Sequence, residues 1–480
     1  MTRRPHSAEP DGSDPPAPSR SSELPQHSSA AEVPKILGGA GEASGSGGLP
    51  TSALAERVVV PADPGAAADR LRAAAAGAGL LHVARGRTVP LEVDPLPRVL
   101  DGPEWDALAA GLVQRTRALE AFLRDPLLAV DAGVVPAELV RTSIHRPPEQ
   151  PSPAVPLGVY GPDVVRDDEG RFVVLEDNCR TPTLMGYAAG VRELSLEHLD
   201  PPAGLRPYAD ELVPALRRVL LAAAPEVTDP VLAVLVDADV VKYEPLRLAT
   251  ALGAPAVSVG QLQLRGDRVH LPDGRPVDVL WRRTSEERLR DDRGEPNAYG
   301  QVLLLPLAAG TVRVVDPYGT GVVDDKRTAR CVEDLVRLHL AEDPLLRTAR
   351  TYDLGRPDDL AQALDRLHLL VLKPRAGSGG RGVVVGPQAT PGELREVLSA
   401  VRADPAGWVA QEVVRLSTCA TWTGSGLEPR HVDLRPCVLS DGATVTVLPG
   451  GLTRFAPAPG DLVVNLSQGG GAKDTWVVDG

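Results

Sequence analysis

The chain has 480 residues, 43% of them hydrophobic and 24% charged, and a formal net charge of −13. That length argues for two or three structural units of ordinary globular composition. The negative balance excludes a general attraction to nucleic acid or anionic membrane, so any anion site must be built locally.

No apolar run approaches the length of a membrane span. The opening "MTRRPHSAEPDG" has basic residues but no apolar core after them, which argues against a secretory signal. Cys179, Cys331, Cys419 and Cys437 are far apart and form no CxxC pair. That suits reduced thiols and a cytoplasmic location. Of 51 basic residues only five are lysines: Lys35, Lys242, Lys326, Lys373 and Lys473. A lysine kept in so arginine-rich a chain marks a place where a compact ammonium is needed.

Residues 1–55 are rich in Pro, Ser, Gly and Ala and lack aromatics, which predicts a disordered tail. A mainly helical region follows over 56–150. Within it 69–83 reads as a helix running into a strand, and 103–125 as an amphipathic helix with Trp105, Leu108, Leu112, Thr116, Leu119 and Phe122 on one face. Residues 157–177 read as strand, turn, strand, with "DDEG" as the turn. A helix follows at 208–224. Between 231 and 315 the order is strand, helix, strand, then strand candidates at 277–283 and 311–317. That rhythm predicts a parallel sheet. From 316 to 480 the pattern is a helix over 324–343, a strand ending in "LVLKP", a glycine loop, a helix from Thr390 and the strand "WVAQEVV". The fold class is α/β to α+β, with several domains.

Three constellations carry chemistry. In "VLKPRAGSGGRGVVVG", Lys373 precedes Gly377, Ser378, Gly379, Gly380 and Gly382. Such a loop lets backbone N–H groups approach phosphate, although a flexible hairpin reads equally well and the order is not that of a P-loop. In "DPYGTGVVDDK", Lys326 closes a Gly turn at a helix start, where capping alone would also explain the acids. In the third, Asp163, Glu176 and Asn178 lie on two strands joined by a tight turn. Glu176 and Asn178 share a face, giving an all-oxygen set suited to Mg²⁺. Asp177 and Asp167 read as solvated hairpin edge. The C-terminal "NLSQGGGAKDTW" reads as a loop of unassigned purpose.

These motifs, with "GRFVVLEDN", "AQEVVRLST", "PRHVDLRP" and "LPGGLTR", resemble the circularly permuted ATP-grasp family of type 2, a relative of glutathionylspermidine synthetase and eukaryotic glutathione synthetase. The resemblance implies ATP held between two α+β lobes with Mg²⁺ on its phosphates. It makes Asp163, Glu176 and Asn178 the metal ligands in a D-x12-E-x-N pattern. Lys326 and Lys373 become the phosphate lysines, 377–382 the lid, and Gln411, Glu412 and Val413 the adenine edge. It also divides the chain: metal ligands in 151–230, a substrate-side domain in 231–315, and the nucleotide-binding lobe in 316–480. Many relatives place an arginine two residues before the first metal ligand. Gly161 stands there in this chain, leaving Arg282, Arg283 and Arg435 as candidates for the catalytic arginine. The implied activity is an ATP-dependent ligase joining a small-molecule or peptide carboxylate to an amine through an acyl phosphate. A phosphotransferase or ATPase, or a nucleotide-binding scaffold without turnover, remains the alternative.

Overall fold

A single mixed sheet of ten strands organises the molecule. The computed structural model describes residues 35–37, 54–142, 148–237, 243–377 and 379–480. Across the sheet the strands run Lys35–Leu37, Val58–Val60, Arg98–Asp101, Gly471–Val478, Leu452–Phe455, Leu427–Arg435, Asp163–Arg166, Phe172–Glu176 and Arg347–Thr348, with Thr418–Trp422 paired to Leu427–Arg435. The C-terminal stretch read as a loop is thus a central strand. Gly471–Val478 pairs in parallel with Arg98–Asp101 and antiparallel with Leu452–Phe455. Its sequence alternates too weakly to announce a strand because both faces are covered, so seven of its eight residues are buried.

Lys473, on that strand, is fully buried. Its Nζ donates to Asp94 Oδ1 at 2.5 Å and to the carbonyls of Leu96 and Ala420. This retained lysine crosslinks the sheet. Within the stretch read as tail, Lys35–Leu37 pairs antiparallel with Val58–Val60; the remainder up to residue 53 lies outside the described residues.

The helix Gly102–Arg124 packs along this sheet. Asp101 caps it, accepting from Glu104 N at 2.8 Å, while the Glu104 carboxylate accepts from Asp101 N. All six residues of its predicted face are buried. A second sheet, entirely parallel, runs Ala256–Val257, Leu232–Leu235, Val279–Arg282, Arg313–Val315, as the strand-helix-strand rhythm predicts. A third, antiparallel, runs Thr351–Asp353, Trp408–Glu412, Leu370–Pro374, Val384–Val385.

The helix predicted over 324–343 is broken. A short helix ends at Asp324, a 3-10 turn spans Thr328–Cys331, and the helix proper is Val332–Leu340. Asp325 interrupts it, because its carboxylate accepts from Arg327 N and from the Arg375 guanidinium. Lys326 therefore sits on a bend between two helical turns, free to point into a cleft. Among the described residues no helix is long and apolar enough to cross a membrane.

Candidate active site

The ten-stranded sheet and the antiparallel four-stranded sheet face each other across a cleft holding about 990 Å³ of space, part of it open to solvent. One wall carries Asp163, Val165, Leu175, Glu176, Asp433 and Arg454. The other carries Val371, Lys373, Gln411, Glu412 and Val413, and Lys326 enters from its bend. Gly377, Gly379, Gly380 and Arg381 form the rim. Val165, Leu416, Leu462 and Val464 supply an apolar floor.

Asp163 and Glu176 are register partners on adjacent antiparallel strands, with a bulge after Asp163. Lys326 Nζ lies 2.7 Å from Glu176 Oε1 and donates to Gly377 O at 2.8 Å. One lysine thus touches both a candidate metal ligand and the glycine loop. Lys373 Nζ donates to Gln411 Oε1 at 2.7 Å, and Gln411 Nε2 reaches Leu175 O on the facing wall. Burial pulls the Lys373 ammonium below the ordinary lysine value and nearby Lys326 adds to this, with Glu176 and Asp163 opposing. Gly379, Gly380 and Gly382 take φ of +63°, +71° and +73°, where a Cβ would be strained, so the loop's composition follows from its backbone. Ser378 lies outside the described residues, and Gly382 belongs to the loop but not to the cleft wall. The Glu412 carboxylate turns away onto Tyr352 Oη at 2.7 Å and Arg366. That leaves main-chain groups of Glu412 and Val413 for the cleft.

The carboxylates of Asp163 and Glu176 are hard oxygen donors on one wall. No group of three or more His, Cys, Asp or Glu among the described residues is disposed to hold a metal on protein ligands alone. Magnesium in nucleotide sites uses one or two carboxylates and completes its shell with phosphate and water, so this donor set fits it. Asn178 follows the end of the strand. Its main-chain oxygen accepts from Gly161 N, and its buried Nδ2 has no partner.

Asp177 is not a solvated edge. It is 3% exposed and takes both oxygens to Arg115, at 2.7 Å each, with Tyr160 Oη donating at 2.5 Å. The strand face opposite Glu176 is covered by the helix Gly102–Arg124, which carries Arg115. Asp167 is likewise buried, tying the turn through Arg171 and Glu169 N.

Of the three candidate arginines, only Arg435 contacts a residue of the cleft, Asp163, and none of the three lines the cleft itself. Arg282 has no exposed surface and donates to the carbonyls of Asp316, Thr284 and Pro317 and to Glu286. Arg283 binds Pro182 O and Glu244. Both brace the ends of the parallel sheet. Arg435 Nε donates to Asp163 Oδ1 at 2.6 Å. A Cβ added at Gly161 would meet Arg435 Cδ at 3.2 Å, so the missing side chain at 161 leaves the room that Arg435 fills.

The family model for circularly permuted ATP-grasp type 2 matches residues 97–456. The chain belongs to this family. It is 41% identical over 406 residues to a Frankia alni protein named "Putative glutamate--cysteine ligase 2-3", aligning 81% of this chain but 47% of that one. It therefore spans about half the length of that relative, and the same holds for a second Frankia protein. A Mycobacterium leprae protein, named only as uncharacterized, is 37% identical over 433 residues, covering 86% of this chain and 77% of its own. Among solved structures, a glutathione synthetase like-effector from Globodera pallida in apo form superposes with a TM-score of 0.56 at 12% identity. It covers 87% of this chain and 98% of that one, a likeness of fold. Family and Frankia names are those of ATP-dependent ligases in the general sense.

Sequence reasoning passed over Asp433, Arg454 and Asn465 as site residues, although all three line the cleft. Only the rarity of Asn, three in the chain, marked the last of them.

Proposed function

We propose that the protein is an ATP-dependent carboxylate–amine ligase: ATP phosphorylates a carboxylate, and an amine displaces phosphate from the acyl phosphate to give an amide. The observation that carries this reading is the convergence of Lys326, Lys373, Asp163, Glu176 and the glycine loop on one cleft. The Frankia names favour an amino acid or peptide of the glutamyl kind as the acid.

In this reading Lys326 and Lys373 neutralise phosphate oxygens. Lys326 leaves Glu176 to do so, which exposes Glu176 at the moment a cation is needed. Magnesium, when bound with the nucleotide through Asp163, Glu176 and Asn178, would offset phosphate charge and orient the transferred group. Arg435, held on Asp163, is the arginine this reading assigns to the transferred phosphate. The loop 377–382 covers the phosphates and keeps water from the reactive intermediate. Main-chain groups of Glu412 and Val413 hold the adenine edge, and the apolar floor packs against the base. In this reading the strand-helix-strand region that begins at Val231 would help receive the acid.

Incubation with ATP, Mg²⁺, hydroxylamine and a panel of acids tests this, since hydroxamates report acyl phosphates. Hydroxamate with one acid class is the expected result. ADP release with no hydroxamate for any acid would favour a phosphotransferase or ATPase instead.

A further inference from the structure

Among the described residues, the side-chain hydrogen bonds to the Asp163 carboxylate fall on one oxygen. Arg435 Nε and Arg454 Nη2 both donate to Oδ1, at 2.6 and 2.8 Å, and the Arg435 Nη2 contact falls on the same atom. We propose that Asp433 and Arg454 are positioning residues that keep the second oxygen of Asp163 available to the metal. This rests on the reading that a divalent cation binds with the nucleotide at Asp163 and Glu176.

The arrangement follows from sheet register. Asp433 and Arg454 are direct partners on antiparallel strands, and the strand of Asp433 also pairs with that of Asp163 through Leu434 and Val164. Arg454 is 6% exposed and Asp433 3%, so neither charge can relax into solvent. A guanidinium fork normally closes on both oxygens of one carboxylate. Here it closes on Asp433: Nε donates to Oδ1 at 2.9 Å and Nη2 to Oδ2, and Nη2 also donates to Asp163 Oδ1. With its fork closed on Asp433, Arg454 gives Asp163 a single hydrogen bond, from Nη2. Without the Asp433 charge, Arg454 is free to close on Asp163 as a bidentate pair and take the oxygen the metal needs. Charge acts in the same direction. Two arginines balance two aspartates in this network, and neutralising Asp433 leaves one net positive charge beside a divalent cation's place.

The test is Mn²⁺ binding followed by electron paramagnetic resonance, with the full chain saturated by a non-hydrolysable ATP analogue. Asp433→Asn should weaken Mn²⁺ about tenfold, the low end of what outer-shell substitutions cost in metal affinity. Analogue affinity measured without metal should not fall, since the change removes a negative charge from the cleft wall. Asp433→Glu, which restores the charge, should recover most of the Mn²⁺ affinity. Wild-type Mn²⁺ affinity in Asp433→Asn overturns the inference, and so does a loss of metal-free analogue affinity, which would make Asp433 a nucleotide contact. If Asp433→Asn is not recovered folded, Arg454→Lys decides. It keeps the buried charge but cannot span both carboxylates, so it should lose Mn²⁺ affinity similarly, and wild-type affinity there overturns the inference. Asp163→Asn separates the two levels of the argument. If it binds Mn²⁺ as the wild type does, the metal reading itself fails; if it alone loses Mn²⁺, only the positioning role fails.

Discussion

Replacing Asp177 by Asn removes a buried charge just past the end of the strand Phe172–Glu176. In the folded protein the Asp177 carboxylate holds Arg115 through two 2.7 Å bonds and receives Tyr160 Oη at 2.5 Å. Arg115 has one other side-chain partner, Thr348 Oγ1 at 2.9 Å. Asn can still accept from Nε but presents an N–H₂ to Nη2, so the guanidinium is left buried with its charge uncompensated. Breaking a buried ion pair by removing one partner costs about 3–5 kcal/mol. With one acceptor retained, the loss should be about 2–4 kcal/mol. Urea denaturation of wild type, Asp177→Asn, Arg115→Gln and the double variant measures it as a cycle. The double variant should be less damaged than the two single losses summed. A single-variant loss below about 0.5 kcal/mol, the range of ordinary surface substitutions, would refute the reasoning.

Lys326→Ala and Lys373→Ala should each weaken ATP binding at least tenfold by calorimetry, since each removes a cation from a partly dehydrated phosphate site; unchanged affinity in both would misplace the nucleotide. Lys473→Met should instead cost about 3–5 kcal/mol of stability by stranding Asp94, while the folded fraction keeps its ATP affinity, because Lys473 does not line the cleft. ATP affinity should also depend on alkaline pH. The Lys373 pKa lies below 10.5 in the free protein, and a bound phosphate raises it. Affinity is therefore full below the free-protein value and is lost as pH rises through it. A titration from about pH 8 should show the fall beginning before the ordinary lysine value of 10.5 is reached, and flat affinity up to that value would contradict the assignment.

The cleft was legible where function and backbone constrain residue choice together. Lys326 and Lys373 stood out against a background of arginine, and Gly379, Gly380 and Gly382 of the loop take positive φ. The parallel pairing of the second sheet, though not its strand order, followed from the strand-helix-strand rhythm. Asp177 was misread because strand alternation gives the face of a side chain but not what covers it. The cover is a helix more than fifty residues earlier, with Arg115 and Asp177 sixty-two residues apart. Gly471–Val478 was missed because a strand buried on both faces loses the alternation that identifies one. Arg282 and Arg435 look alike in sequence, each the last residue of a strand. Only tertiary neighbours separate them: Arg282 ends among main-chain carbonyls, whereas Arg435 occupies the space beside Gly161.

The central claim is that ATP energy passes into a carboxylate. With the acid identified by hydroxamate trapping and labelled with ¹⁸O in its carboxylate, mass spectrometry of the phosphate released during amide formation tests it most directly. Transfer of one ¹⁸O to each phosphate is the predicted result, because the acyl phosphate leaves with an oxygen of the acid. Unlabelled phosphate, with product still forming, would contradict it.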